Sequence, residues 1–193
     1  MSNPSDAAIT SQLKRRLTER MHAGRMPVSG AVYFLTLVTR NRQPWLGVSS
    51  GRAAMLSVIQ AWHGEGDGAV LAAIVMPDHV HVLIRQGASL PIGRVVARWK
   101  SQAMKAYNYI GSWQRDFWEH RLRTEESWED YGLYMLLNPY RAGLAKPEGV
   151  WPGWYCPEPR GFAFISHLER SGVPPREWVG WPDDRFEKLS TGE

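Results

Sequence analysis

Residues 69–85 read Ala69-Val70-Leu71-Ala72-Ala73-Ile74-Val75-Met76-Pro77-Asp78-His79-Val80-His81-Val82-Leu83-Ile84-Arg85. The first eight form a nearly unbroken apolar run, Pro77-Asp78 is a tight connection, and the remainder alternates, so the stretch reads as two adjacent strands in a hairpin. Side chains alternate faces along a strand. His79 and His81 therefore point one way, while Val80, Val82 and Ile84 point the other way into a core.

Upstream, residues 31–39 (AVYFLTLVT) are rich in β-branched and aromatic types and run into the basic turn Arg40-Asn41-Arg42-Gln43-Pro44, the signature of a strand and its exit. Residues 52–62 place Ala54, Leu56, Val58, Ile59 and Trp62 mainly at helical spacing before the glycine-rich 64–68. Downstream, residues 90–109 interleave Ile92, Val95, Val96, Trp99 and Met104 with Arg94, Arg98, Lys100 and Lys105, an amphipathic helix with a basic side. A short fourth strand fits 117–123. Ser127-Trp128-Glu129-Asp130 is a capping-box pattern that opens a last helix, expected to stop at Asn138-Pro139.

The order βαββαβ plus a helix predicts an α+β fold of the ferredoxin-like, split-βαβ type: an antiparallel sheet with two helices on one face and the tyrosine-bearing last helix appended. The expected organisation is a basic N-terminal arm or helix (1–29), a central domain (30–145) and a tail (146–193) rich in proline and tryptophan that wraps the domain. Within the arm, Lys14, Arg15, Arg16 and Arg20 are expected to aid nucleic-acid binding.

At 193 residues the chain has the length of one domain with tails, and 44% hydrophobic against 22% charged residues is the composition of a chain with a real core. A net charge of +4 favours an anionic partner, nucleic acid first. The single cysteine, Cys156, excludes an internal disulfide and a thiolate zinc cage. No run approaches the roughly 18 apolar residues of a membrane span and no signal-peptide pattern opens the chain, so a cytoplasmic protein is expected.

Two imidazoles on one strand face can chelate a cation, and oxygen donors in the remaining positions would suit Mg2+ or Mn2+. Tyr134 and Asn138 lie four positions apart, hence on one face of the last helix. A tyrosine hydroxyl, with a pKa near ~10, attacks phosphorus at neutral pH only if a cation stabilises the phenolate or activates the phosphate. Equally, Tyr134 can simply pack and Asn138 can cap the helix before Pro139. These residues alone leave both readings open.

Four segments taken together resemble the REP-associated tyrosine transposases, a branch of the single-tyrosine HUH transposases related to insertion-sequence enzymes. They are Met76-Pro77-Asp78-His79-Val80-His81-Val82-Leu83, Trp113-Gln114-Arg115-Asp116-Phe117-Trp118-Glu119-His120, Arg121-Leu122-Arg123, and Tyr134-Met135-Leu136-Leu137-Asn138-Pro139 followed by Ala142-Gly143-Leu144. Their order and spacing match along about residues 30–145. The resemblance implies that His79 and His81 bind a divalent metal with help from Asn138. It implies that Tyr134 becomes joined to a DNA 5′ phosphate, and that the substrate is single-stranded DNA carrying a hairpin of the repetitive extragenic palindrome type. It also implies a monomer or a homodimer. Tyr131, one turn before Tyr134 on nearly the same face, and Tyr140, beyond the proline, are rival nucleophiles ranked second and third.

Residues expected to meet DNA are Arg40, Arg42, Arg85, Arg94, Arg98, Lys100, Lys105, Arg121 and Arg123 on phosphate, with Trp113 and Trp118 offering faces on which unpaired bases stack. Trp99 lies on the apolar side of its helix and is assigned to packing.

Overall fold

The computed structural model describes residues 26–63, 67–182, 185–186 and 189. The arm residues Lys14, Arg15, Arg16 and Arg20 lie outside this set. Strands β1 (Val32–Val38), β2 (Gly68–Val75), β3 (His79–Gln86), β4 (Trp118–Arg121) and β5 (Trp154–Tyr155) form one sheet in the order β4-β1-β3-β2-β5. Every neighbouring pair is antiparallel. Helices α1 (Ser49–His63) and α2 (Ile92–Ala106) cover one face, and α3 (Trp128–Arg141) packs on the other. The first four strands and two helices are the split-βαβ unit that the sequence predicts; β5, from the tail, extends the sheet beside β2.

Strand alternation divides the core in two. Tyr33, Leu35, Leu37, Val80, Val82 and Ile84 meet Met55, Ile59, Trp62, Val95 and Trp99 from α1 and α2. On the other face Phe34, Ile74, Met76 and Leu83 meet Leu133, Tyr134 and Leu137 from α3 together with Phe162, Phe164 and Phe186 from the tail. Both faces of β2 are thus buried, which is why 69–76 reads as a continuous apolar run rather than an alternating one. A register shift between Val70 and Ala72 lets Leu71 and Ala72 both turn toward the α3 side.

Helix α3 begins as expected at Ser127, whose hydroxyl accepts from Glu129 N at 3.2 Å. The Glu129 carboxylate reaches across to the tail, accepting from Ala163 N at 3.1 Å and Phe164 N at 2.6 Å. The helix does not stop at Asn138-Pro139: it continues to Arg141 with Pro139 inside. Proline deletes one backbone donor, but so near the end that only one bond is lost. The exposed carbonyls are then closed by Ala142 N to Asn138 O at 2.9 Å and Leu144 N to Pro139 O at 2.8 Å. Tyr140 consequently stays in helical register, contrary to expectation. On the tail side, a Cβ at Gly132 would lie 2.4 Å from the Phe162 ring, so α3 and the tail approach closely enough to require glycine. No helix among the described residues is long and apolar enough to cross a membrane.

Candidate active site

His79 and His81 lie on the α3 side of β3, 7% and 1% exposed, their ring centroids 4.7 Å apart. Each is held through Nδ1. His79 Nδ1 lies 2.7 Å from Asp78 Oδ1, and the other Asp78 oxygen accepts from Arg42 at 3.1 Å. The hydrogen bond from His79, aided by the Arg42 guanidinium, takes the Asp78 carboxyl down to about 2 despite its partial burial. An ionised Asp78 makes His79 Nδ1 the protonated nitrogen and leaves the lone pair on Nε2. That atom is buried, with no hydrogen-bond partner among the described residues.

His81 follows the same pattern with a different acceptor. Thr36 is its cross-strand partner in the β1–β3 register, and Thr36 Oγ1 lies 3.0 Å from His81 Nδ1. His81 Nε2 then accepts from Asn138 Nδ2 at 3.4 Å, so α3 delivers Asn138 to the second imidazole. Phe34 stacks on His81 at 5.1 Å and fixes its plane. Among the described residues no three His, Cys, Asp or Glu side chains gather about one point. A cation on the two Nε2 atoms would therefore be completed by the Asn138 amide oxygen, after an amide flip, and by phosphate or water. A buried Nε2 beside a second imidazole and an amide is a donor set that fits a divalent cation, the amide, phosphate and water oxygens being the donors that would suit Mn2+ or Mg2+.

Tyr134 belongs to the same cluster, its ring centroid 5.6 Å from that of His81. It is only 5% exposed, with Phe186 of the tail 5.9 Å away. The rival tyrosines are engaged elsewhere. Tyr131 donates to Glu126 at 3.2 Å, and burial followed by the Glu126 charge drives its phenol well above its usual range. Glu126 also accepts from His120 at 2.8 Å and Arg123 N at 2.6 Å. Tyr140 donates to Gly149 O at 2.9 Å, and burial raises its pKa too.

The basic residues separate into groups. Arg40 and Arg42 follow β1 at the end of the sheet where β3 begins with His79, since Val38 pairs with His79. Arg121 and Arg123 are exposed on and after the edge strand β4. Arg85 leaves the opposite end of β3 and lies over Trp128 at 5.4 Å. Arg94, Arg98 and Lys105 occupy the exposed side of α2, across the sheet from the histidines. Lys100 is spent internally: its ammonium donates to the carbonyls of Gln114 at 2.7 Å, Arg115 at 3.3 Å and Asp116 at 3.0 Å. Trp113 packs edge-on against Trp45 at 5.1 Å, Trp118 stacks on His120 at 5.8 Å, and Trp99 is fully buried as assigned.

Sequence reasoning did not single out Asp78 or Thr36 as orienting groups. Asp78 was visible as the residue before the first histidine. Thr36 could be found only from the strand register.

The family model described as "Transposase IS200 like" matches residues 27–130. The REP-associated tyrosine transposase of Escherichia coli is 26% identical over 158 residues, covering 79% of this chain and 87% of that protein. A Haemophilus influenzae relative assigned to the same group is 23% identical over 172 residues, covering 80% and 90%. The solved structure of a REP-associated tyrosine transposase bound to a REP hairpin superposes with a TM-score of 0.63 at 22% identity, over 88% of this chain and 95% of that one. With a fold match over nearly the whole chain and a family match over more than half of it, this chain belongs to the IS200-like transposases, enzymes that cut and rejoin DNA.

Proposed function

We propose that the enzyme cuts and rejoins single-stranded DNA beside a REP-like hairpin, through a covalent 5′-phosphotyrosine on Tyr134, with Mg2+ or Mn2+ held by His79, His81 and Asn138. The observation that carries this reading is the convergence of an unpartnered His79 Nε2, the His81 Nε2 facing Asn138, and the Tyr134 ring 5.6 Å from His81. When bound, the cation would polarise the scissile phosphate and offset charge growing in the transition state. Asp78 keeps His79 in the tautomer with Nε2 unprotonated, and Thr36 holds His81 in place through Nδ1. The Tyr134 oxygen forms a bond to phosphorus as the P–O3′ bond breaks; the phenol proton passes to solvent, and the departing O3′ takes a proton from solvent, so that the 5′-side strand leaves with a 3′ hydroxyl. Because the phosphotyrosine conserves bond energy, an added 3′ hydroxyl can reverse the step.

Single strands bend readily into such a site, whereas duplex must first pay a few kcal/mol to unpair and unstack. Arg40, Arg42, Arg121 and Arg123 suit phosphates on the strand near the site, and Arg94, Arg98 and Lys105 suit only DNA that reaches the far side of the sheet. The setting is cytoplasmic, with the enzyme acting as a monomer or homodimer. One observation favours a second reading, hairpin binding without cleavage: Tyr134 lies buried beside Phe186.

The test is a hairpin with a single-stranded flank, labelled at either end and incubated with Mn2+. The 3′-side label should become attached to protein, and the adduct should vanish with excess chelator, with His79→Ala or with Tyr134→Phe. Hairpin affinity should persist in Tyr134→Phe. Binding without an adduct under any divalent cation selects the second reading. Cleavage that survives loss of every tyrosine indicates a metal-dependent hydrolase using bound water.

A further inference from the structure

A cavity of about 400 Å³ lies between the turn after β1 and the loop before β4, lined by Arg40, Asn41, Trp113, Gln114, Arg115 and Asp116. We infer that it holds one unpaired nucleotide of the single-stranded flank next to the scissile phosphate. The inference rests on the proposed function for the identity of the strand.

Position is the first argument. Val38 pairs with His79 in β3 on one side, and on the other its carbonyl accepts from Gln114 N at 2.9 Å. Trp113 bridges Thr39 at the same level. The cavity wall is thus two strand spacings from His79, about 10 Å. A strand whose phosphate reaches the histidines has its neighbouring nucleotides at this distance.

Chemistry is the second. The volume lies within the roughly 300–1,000 Å³ typical of small-molecule sites. Two guanidinium groups, Arg40 and Arg115, suit the phosphate and sugar side. The Asn41 and Gln114 amides each carry a donor and an acceptor, the complement of an unpaired base edge. The Trp113 indole supplies an aromatic surface, and its Nε1 is buried with no hydrogen-bond partner among the described residues.

Preorganisation is the third. The wall is anchored at almost every peptide: Lys100 collects the carbonyls of Gln114, Arg115 and Asp116, Trp45 Nε1 donates to Ser112 O at 3.1 Å, and Arg40 N donates to Ser112 O at 3.0 Å. The facing turn is shaped by two successive left-handed residues, Asn41 (φ 54) and Arg42 (φ 53). The Arg42–Asp78 ion pair ties this turn to the residue that orients His79. Cavity and histidine pair therefore share one rigid frame, and a preformed site loses little affinity to ordering.

The test uses the hairpin with its single-stranded flank, each flank nucleotide replaced in turn by an abasic one, and the full-length chain as wild type and as the double variant Asn41→Gly, Gln114→Ala. Both positions are exposed, and glycine accepts the left-handed backbone. One flank position should cost wild type about tenfold in affinity when its base is removed. In the double variant, which keeps Trp113 but loses both amides, the penalty at that position should fall severalfold, the other positions being unchanged. An identical penalty at that position in both proteins overturns the inference. An unstructured single-stranded decamer separates it from the hairpin reading. No hairpin preference, but a decamer held more tightly by wild type than by the double variant, removes the hairpin and keeps the cavity. Equal decamer affinity removes the cavity.

Discussion

Replacing Asp78 is the sharpest probe of the proposed metal site, because it alters the orientation of one imidazole without removing it. The carboxylate accepts from His79 at 2.7 Å and from Arg42 at 3.1 Å, so Asp78→Ala releases both the imidazole and the turn that carries Arg42. Loss of such an outer partner typically costs about 10–100-fold in metal affinity, equivalent to about 1.4–2.7 kcal/mol. Asp78→Asn retains a neutral acceptor near His79 and loses the charge assistance, which roughly doubles the strength of such a bond. Its cost should therefore fall at the lower end, about tenfold. The backbone should hold in both, since Thr39 N and Thr39 Oγ1 bind the Asp78 carbonyl at 2.8 and 2.9 Å, not its side chain. Calorimetric titration of the full chain with Mn2+ gives the dissociation constants, with His79→Ala as the reference for loss of a ligand. The expected order of affinity is wild type, Asp78→Asn, Asp78→Ala, His79→Ala. If Asp78→Ala binds Mn2+ as tightly as wild type while His79→Ala does not, the orienting role is refuted. If His79→Ala also binds normally, the cation is not held by this pair.

Tyr131→Phe should retain the DNA adduct in full, because its hydroxyl is committed to Glu126 and its proton is held well above the usual range; an adduct lost here and kept in Tyr134→Phe would exchange the two roles. Phe186→Ala should increase the rate of adduct formation severalfold in gel assays by uncovering Tyr134, and an unchanged rate would mean that the ring does not limit access. Lys100 carries a pH signature: burial lowers its pKa from 10.5 to about 8, so between these values the folded chain binds fewer protons than the unfolded one. Stability attributable to this group should then rise from about pH 8 toward 10.5, by at most about 1.4 kcal/mol per pH unit. Denaturant unfolding of wild type and Lys100→Met across that range should diverge, and parallel curves would refute the assignment.

Much of the fold was legible because its signals are local. The hairpin 69–85, the alternation that separates His79 and His81 from Val80 and Val82, and the helices at 52–62 and 90–109 all follow from periods of two and 3.6 within short windows. The errors fall where a long-range contact outweighs a local rule. Pro139 signals a helix end, yet packing of Leu136, Leu137 and Tyr140 against the sheet and tail carries the helix to Arg141. The tail reads as a wrap around the domain, and nothing in Trp154-Tyr155 announces a fifth strand, because a two-residue strand exists only through its pairing with Ala73 and Ile74.

The sequence by itself determined that His79 and His81 share a strand face and that Tyr134 and Asn138 share a helix face, since each pair is set by backbone geometry over at most one helical turn. Only the tertiary structure decided that those two faces meet, with Asn138 Nδ2 3.4 Å from His81 Nε2. It also decided that Thr36 and Asp78 lie on the imidazole Nδ1 atoms, and that Lys100 is turned inward onto three carbonyls while Arg94, Arg98 and Lys105 remain on the outer surface. The reason is that strand register and the docking of α3 arise from burying two apolar layers on a single sheet. Burial of that kind sums over residues distant in the chain, and no local window contains it.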